Sequence, residues 1–95
     1  MWEDIPFNCG AFWMQPALKI IGLNIKLART KSGFSQAELA DKLNVEQSYI
    51  SRVESGSVAA SCERIYEIIH LLGCKASDIF PESKEVETQF NRAEQ

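Results

Sequence analysis

The sequence predicts an all-α fold in which five short helices form one compact domain with a short extension at each end. Apolar residues recur at spacings of three and four, and 45% apolar with 24% charged residues is an ordinary globular composition. Residues of the types that end helices separate these apolar runs: Gly33, Asn44, Gly56 and Gly73. With 95 residues the chain can bury a small helical core but not build an enzyme fold with a deep cleft.

Residues 1–17 form an aromatic N-terminal extension, in which we expect no long helix because Pro and Gly interrupt it. Its large aromatic residues are Trp2, Phe7, Phe12 and Trp13. Left free, they would make an exposed apolar patch, so we expect the segment to pack on its own domain or on a second subunit. The alternative is that translation starts at Met14 and that residues 1–13 do not belong to the natural protein.

The predicted domain covers residues 18–81, and its first helix is expected to begin near Pro16 and to end before Gly33. One helical stripe suits the core: Leu18, Ile21, Ile25 and Ala28. A second apolar stripe, formed by Ile20, Leu23 and Leu27, faces elsewhere. It must be covered by the N-terminal extension or by another subunit, which favours an oligomer.

The stretch Ser35–Gly56 predicts two short helices joined by a tight turn. Ser35 and Glu38 have the spacing of a capping box. Asn44 suits the turn, because Asn tolerates the left-handed backbone that ends a helix. A second helix is expected at residues 46–54, with Ile50 and Val53 facing inward. Such a pair is a helix-turn-helix, whose second helix can enter the major groove of DNA.

A fourth helix is predicted after Ser61, with an apolar face from Ile65 to Leu72 and Gly73 as its stop. Residues 75–80 suit a short fifth helix that docks Ile79 and Phe80. The tail, residues 82–95, is polar, but Val86, Phe90 and Ala93 recur at helical spacing. Both a short dimer-forming helix and a frayed tail fit this pattern.

The net charge of −3 argues against a nucleic-acid partner, but its distribution weakens that objection. Residues 18–80 contain eight basic and seven acidic side chains, a net charge of +1, and the negative charge lies in the extensions. A weakly basic domain predicts modest, salt-sensitive binding that two subunits would have to strengthen.

Cysteine and histidine are too few for a convincing metal site. Cys9, Cys62 and Cys74 are an odd number without CxxC spacing, which favours a reduced, cytoplasmic protein. His70 and Cys74 stand four residues apart on a helix, but two ligands make a weak site, and we expect core positions instead. We predict no cofactor, no metal, no small-molecule ligand and no membrane span.

The residues from about Gly22 to Phe80 resemble the helix-turn-helix domain of the Xre, lambdoid-repressor and Cro type. The resemblance is carried by four groups: Ile25, Arg29 and Gly33; SQAELA at 35–40; YISRVESG at 49–56; and IYEIIHLLGCKASDIF at 65–80. It covers roughly three fifths of the chain and has several parts, so it is more specific than a single short motif.

The resemblance implies a role for each matching residue. Base edges would be read by Gln47 and Ser48, and Arg52 would read a base or contact a nearby phosphate. Phosphates would be held by Gln36 and by the Tyr49 hydroxyl, with Lys42 and Ser51 as weaker candidates. Arg29 and Glu54 would form a structural salt bridge, and the alternative is that a free Arg29 contacts a phosphate. Two departures matter: residues 57–61 contain no Lys or Arg, and Glu46 stands directly before the reading residues.

These observations predict a homodimeric transcription regulator that binds double-stranded DNA, such as a repressor or a restriction-modification controller protein. Helix 46–54 of each subunit would enter the major groove of a roughly palindromic site, with half-sites about 34 Å apart. The candidates for the dimer contact are Leu23, Leu27, Trp13, Val86 and Phe90. The alternative is an antitoxin or another interaction module that binds and silences a protein partner.

Overall fold

The computed structural model describes residues 7–84 and 86–87, and it describes side chains from residue 16 onward within these ranges. Five helices between residues 7 and 79 and no strand are assigned in this part of the chain, so the all-α prediction is confirmed there. None of its helices is long and apolar enough to cross a membrane.

Helix α1, Phe7–Lys31, begins well before the predicted start near Pro16. The expectation that Gly10 and Pro16 would prevent a long helix was wrong, since both lie inside α1. Proline removes one intrahelical hydrogen bond and glycine costs backbone entropy, but each penalty is local, and the turns on either side keep their own bonds. Residues 7–17 of the aromatic extension are therefore continuous with the first core helix.

Helix α2, Gln36–Leu43, starts with the predicted capping box. The Ser35 hydroxyl accepts from the Glu38 amide at 3.0 Å, and the Glu38 carboxylate accepts from the Ser35 amide at 3.0 Å. The Ser35 amide, the Ser35 hydroxyl and the charge of Lys42 lower the pKa of Glu38, because each of them stabilises the carboxylate form. Asn44 ends α2 with φ 60° and ψ 44°, which confirms its left-handed turn.

Helix α3, Gln47–Ser55, starts and ends one residue later than predicted. Glu46 has extended backbone angles and occupies the N-cap position. Gly56 closes the helix with φ 81°, a conformation that glycine adopts without steric cost.

Helix α4, Cys62–Leu72, is capped by the Ser61 hydroxyl, and the short α5, Ala76–Ile79, docks Ile79 in the core. The expectation that His70 is a core residue was wrong, because its side chain is exposed. Its neighbour Ile69 faces the core, and the next residue of a helix lies about 100° further around the axis.

The core lies where the five helices meet, and α1 and α3 pack directly against each other. Side chains from α2, α4 and α5 complete it. Its buried apolar members are Ile25, Leu39, Ala40, Leu43, Ile50, Val53, Ile65, Ile68, Ile69, Leu72 and Ile79.

The predicted extensions are described only in part. Residues 83–84 and 86–87 are helical, and the Val86 side chain is partly buried. The predictions for the Trp13 side chain and for Phe90 lie outside the described residues.

Candidate DNA-binding site

One face of α3 is buried and the opposite face is polar and exposed. Ile50 and Val53 retain only 1% and 3% of their surface exposure, so they fix the helix to the core. The predicted base-reading residues Gln47, Ser48 and Arg52 are exposed on the other side, together with Ser51. Positions 47, 48, 51 and 52 fall on one stripe of a helix, because residues four apart are neighbours on its surface. A partner can therefore meet all four at once.

The start of α3 carries a carboxylate beside one of these residues. Glu46 occupies the N-cap position, but its side chain makes no capping hydrogen bond to the helix. The Ser48 hydroxyl instead donates to Glu46 Oε2 at 3.4 Å. A hydroxyl that donates its only proton in this way offers just its lone pairs to a further partner. The side chains of Glu46 and Ser48 therefore present hydrogen-bond acceptors at this end of α3.

Arg29 and Glu54 form a buried ion pair between α1 and α3. Arg29 Nε donates to Glu54 Oε2 at 2.6 Å, and Nη2 donates to Oε1 at 3.1 Å. The two side chains are only 11% and 3% exposed. Arg29 Nη1 also donates to the Phe34 carbonyl at 2.8 Å, in the turn that leads to α2. The pair thus connects α1, the turn before α2, and α3.

The predicted phosphate residues lie in different environments. Gln36, the first residue of α2, is partly buried, and its Nε2 donates to Glu54 Oε1 at 2.9 Å. Lys42 is exposed, with its ammonium 5.7 Å from the centre of the Phe34 ring, a cation–π distance. Tyr49 is partly buried and packs against the core. Of these three residues, only Gln36 forms a hydrogen bond with the buried Arg29–Glu54 pair.

Two contacts that position the site were not predicted from the sequence. A Cβ atom on Gly22 would overlap the Val53 carbonyl oxygen and would lie 2.6 Å from that of Glu54, so glycine lets α1 approach the backbone of α3. Asn24 Nδ2 donates to the Ile79 carbonyl at 2.9 Å and ties α5 to α1. The only local signal was a glycine inside an otherwise apolar helical pattern.

In the described side chains, no group of three or more His, Cys, Asp or Glu residues is arranged to hold a metal ion. Burial and the negative charge of Asp78 raise the pKa of the Cys74 thiol, which disfavours the thiolate form that metals bind.

A family model described as Helix-turn-helix (HTH_3) matches residues 25–79, more than half of the chain. The chain belongs to this helix-turn-helix family. The predicted resemblance to the Xre and Cro type is thereby confirmed. The matched range contains α2, α3 and the whole Arg29–Glu54–Gln36 network.

A solved structure has a similar helix-turn-helix fold, the clp gene regulator ClgR from Corynebacterium glutamicum. The two chains superpose with a TM-score of 0.65 and are 25% identical, and the similarity covers 84% of this chain and 83% of that one. No curated protein sequence matches the chain significantly.

Proposed function

We propose that this helix-turn-helix protein is a sequence-specific transcription regulator that binds double-stranded DNA through α3. The observation that carries the proposal is the exposed polar stripe of α3, held in place by Ile50 and Val53 beneath it. Family membership supports it, as does the fold similarity to a protein described as a gene regulator.

The chemistry of the stripe suits the edges of base pairs. The Gln47 amide has both a donor and an acceptor, which match the N6 and N7 groups of adenine. The Arg52 guanidinium presents two parallel donors, which match O6 and N7 of guanine. Each such bidentate contact is worth about 1 to 3 kcal/mol of discrimination. Ser48 and Ser51 add smaller polar groups on the same face.

We expect the protein to bind the DNA backbone weakly, although its contacts with base edges are selective. The domain carries a net charge of only +1 between residues 18 and 80, and residues 57–61 contain no Lys or Arg. Electrostatic attraction to phosphates therefore contributes little, and binding should depend on a few oriented contacts and on symmetry. Gln36, Lys42, Tyr49 and Ser51 are the proposed phosphate contacts.

Tight binding requires a second subunit, and α1 offers the surface for it. Leu23 and Leu27 are 52% and 57% exposed on adjacent turns of one helix. Leu27 also lines an open groove of about 710 Å³ between α1 and the α4–α5 connection, beside Leu72 and Cys74. A homodimer that buries this face would place two copies of α3 on successive major grooves of a palindromic operator. We expect such a regulator to act in the cytoplasm.

Selection of bound fragments from the source genome tests this function. The wild-type chain should enrich a roughly palindromic sequence whose half-sites are about one helical turn apart. Gln47→Ala and Arg52→Ala should abolish the enrichment while circular dichroism shows an unchanged helical content. Lys75→Ala is the matched control, because it also removes one positive charge but lies at the start of α5. Equal enrichment by the wild type and Arg52→Ala would contradict the assignment.

A further inference from the structure

One carboxylate joins the buried ion pair to a proposed DNA contact. Glu54 Oε1 accepts from Arg29 Nη2 at 3.1 Å and from Gln36 Nε2 at 2.9 Å. Glu54 Oε2 accepts from Arg29 Nε at 2.6 Å. Three donors from α1 and α2 therefore meet at a side chain of α3 that is 3% exposed.

This arrangement fixes the orientation of the Gln36 amide. A carboxylate can only accept hydrogen bonds, so the amide must turn its nitrogen toward Glu54 and its oxygen away. Nε2 carries two hydrogens, and the one that does not point at Glu54 is directed elsewhere as a donor. A long glutamine side chain loses rotamer entropy when it is ordered. Because the bond to Glu54 already orders Gln36, much of this entropy is lost before any partner binds.

The negative charge of Glu54 does not prevent a phosphate from approaching. The Arg29 guanidinium contacts both oxygens of the carboxylate, so the pair is neutral as a unit. A phosphate near Gln36 then meets an oriented N–H group instead of an uncompensated anion. Gln36 is also the first residue of α2, where the helix dipole favours a negative charge.

We propose that Glu54 is a positioning residue for DNA binding, which holds Gln36 so that its Nε2 donates to a phosphate oxygen. This inference rests on the proposed function, and it adds a role in recognition to the ion pair's role in stability. Because the domain has so little net positive charge, an oriented neutral donor such as the Gln36 amide contributes a larger share of the affinity for the DNA backbone.

A double-mutant cycle tests the coupling. The probe is a 20-bp duplex of random sequence at one fixed, low salt concentration, because phosphate contacts do not depend on sequence. Gln36→Met removes the amide and leaves Arg29 and Glu54 in contact. We expect it to weaken binding roughly two- to tenfold, the range for one hydrogen bond. Glu54→Gln should weaken binding by a similar factor, and the double variant should bind no more weakly than the weaker of the two single variants.

The choice of variants separates an effect on the stability of the fold from an effect on the position of the Gln36 side chain. All measurements are made at a temperature where circular dichroism shows each variant folded. If Glu54→Gln does not fold, Glu54→Asp completes the cycle, because it keeps the charge but shortens the reach to Gln36. Lys42→Met is the matched control: Lys42 is another proposed phosphate contact on α2, and its ammonium lies over Phe34. Its effect should multiply with that of the Glu54 variant.

The outcomes distinguish this inference from the proposed function. If the wild type binds the duplex and the Gln36 and Glu54 effects multiply, the positioning role is wrong and the function stands. If the wild type binds no duplex, including fragments selected from the genome, the proposed function fails and the positioning role fails with it. A double variant equal to the weaker-binding single variant supports the inference.

Discussion

Gly22 of α1 lies against the backbone of Val53 in α3, so closely that a Cβ atom on Gly22 would overlap the Val53 carbonyl oxygen. The atoms in the way belong to the backbone of α3 and cannot rotate aside. Any side chain at position 22 must therefore push the proposed DNA-binding helix away from α1. The close approach also brings α1 near enough for Arg29 to reach Glu54.

Gly22→Ala should destabilise the domain by about 1 to 3 kcal/mol, the usual range for overpacking. Alanine favours a helix interior over glycine by about 0.5 to 1 kcal/mol, and this gain only reduces the loss. The measurement is the free energy of unfolding in urea. Lys26→Ala, at an exposed position of α1, should stay within about 0.5 kcal/mol of the wild type. If Gly22→Ala is as stable as Lys26→Ala, the helices do not approach as described.

Breaking the Arg29–Glu54 pair by removing one partner should cost far more stability than breaking an exposed pair. Arg29→Met leaves the Glu54 carboxylate buried without its cation, which typically costs about 3 to 5 kcal/mol. The chain offers its own comparison in Arg64 and Glu67, whose charged atoms are 3.5 Å apart with Glu67 54% exposed. Glu67→Gln should cost less than about 1 kcal/mol. Urea unfolding of both variants at pH 7 decides the point, and equal losses would contradict the burial of the Arg29 pair.

The helix boundaries around the site could be predicted because their signals are local. The capping box of Ser35 and Glu38, the turn at Asn44 and the stop at Gly56 each involve residues within a few positions of one another. Local rules were less reliable for α1. They counted Gly10 and Pro16 as breaks, whereas the helix continues through both.

The contacts that organise the site are long-range, and no spacing rule reveals them. Gln36 and Glu54 are 18 residues apart, and Asn24 and Ile79 are 55 apart. The family resemblance predicted a phosphate contact for Gln36. Its bond to Glu54 could not be predicted in this way, because it depends on how α2 packs on α3. The role of Gly22 is similar, because it depends on which helix lies opposite.

Glu46 should contribute to specificity at the start of α3. Its exposed carboxylate accepts from Ser48, and both groups present acceptors to a base edge. In the major groove, the N4 amino group of cytosine donates and suits an Asp or Glu partner. Glu46→Gln should therefore relax a preference for a C·G pair at one position of each half-site, by about 1 to 3 kcal/mol.

The same substitution should tighten binding to random duplex, because it removes a negative charge near the phosphates. Glu67→Gln removes an equal charge from α4 and should leave the base preference unchanged. The preference is measured by competition among operators that differ at single positions. If the Glu46→Gln variant keeps the wild-type base preference at every position of the operator, the Glu46 carboxylate does not read a base.

The capping box should make stability depend on pH through Glu38. Its hydrogen bonds with Ser35 lower the pKa of the folded-state carboxyl below its ordinary value of 4.5. Between these two pKa values the unfolded chain binds more protons than the folded one. The stabilisation is therefore complete above about pH 4.5 and is lost as the pH falls through the folded-state pKa. The thermal midpoints of the wild type and Glu38→Ala should thus differ at pH 7 and converge as the pH falls below about 4.5. A constant difference across that range would mean that the Glu38 charge has no part in the cap.

The exposed leucines of α1 should control the association of subunits. Leu23 and Leu27 are each more than half exposed, so their replacement by serine should change the fold's stability by little. If they lie in the dimer contact, the double variant Leu23→Ser/Leu27→Ser should be monomeric in light scattering at tens of micromolar, where the wild type should be dimeric. Its affinity for a palindromic operator should fall steeply, because each half-site then binds alone. Tyr66→Ser is the matched control, since Tyr66 is 54% exposed on α4 and should leave the mass unchanged. A dimer that survives loss of both leucines would place the contact elsewhere on the chain, whereas a monomeric wild type would remove the symmetric-operator proposal.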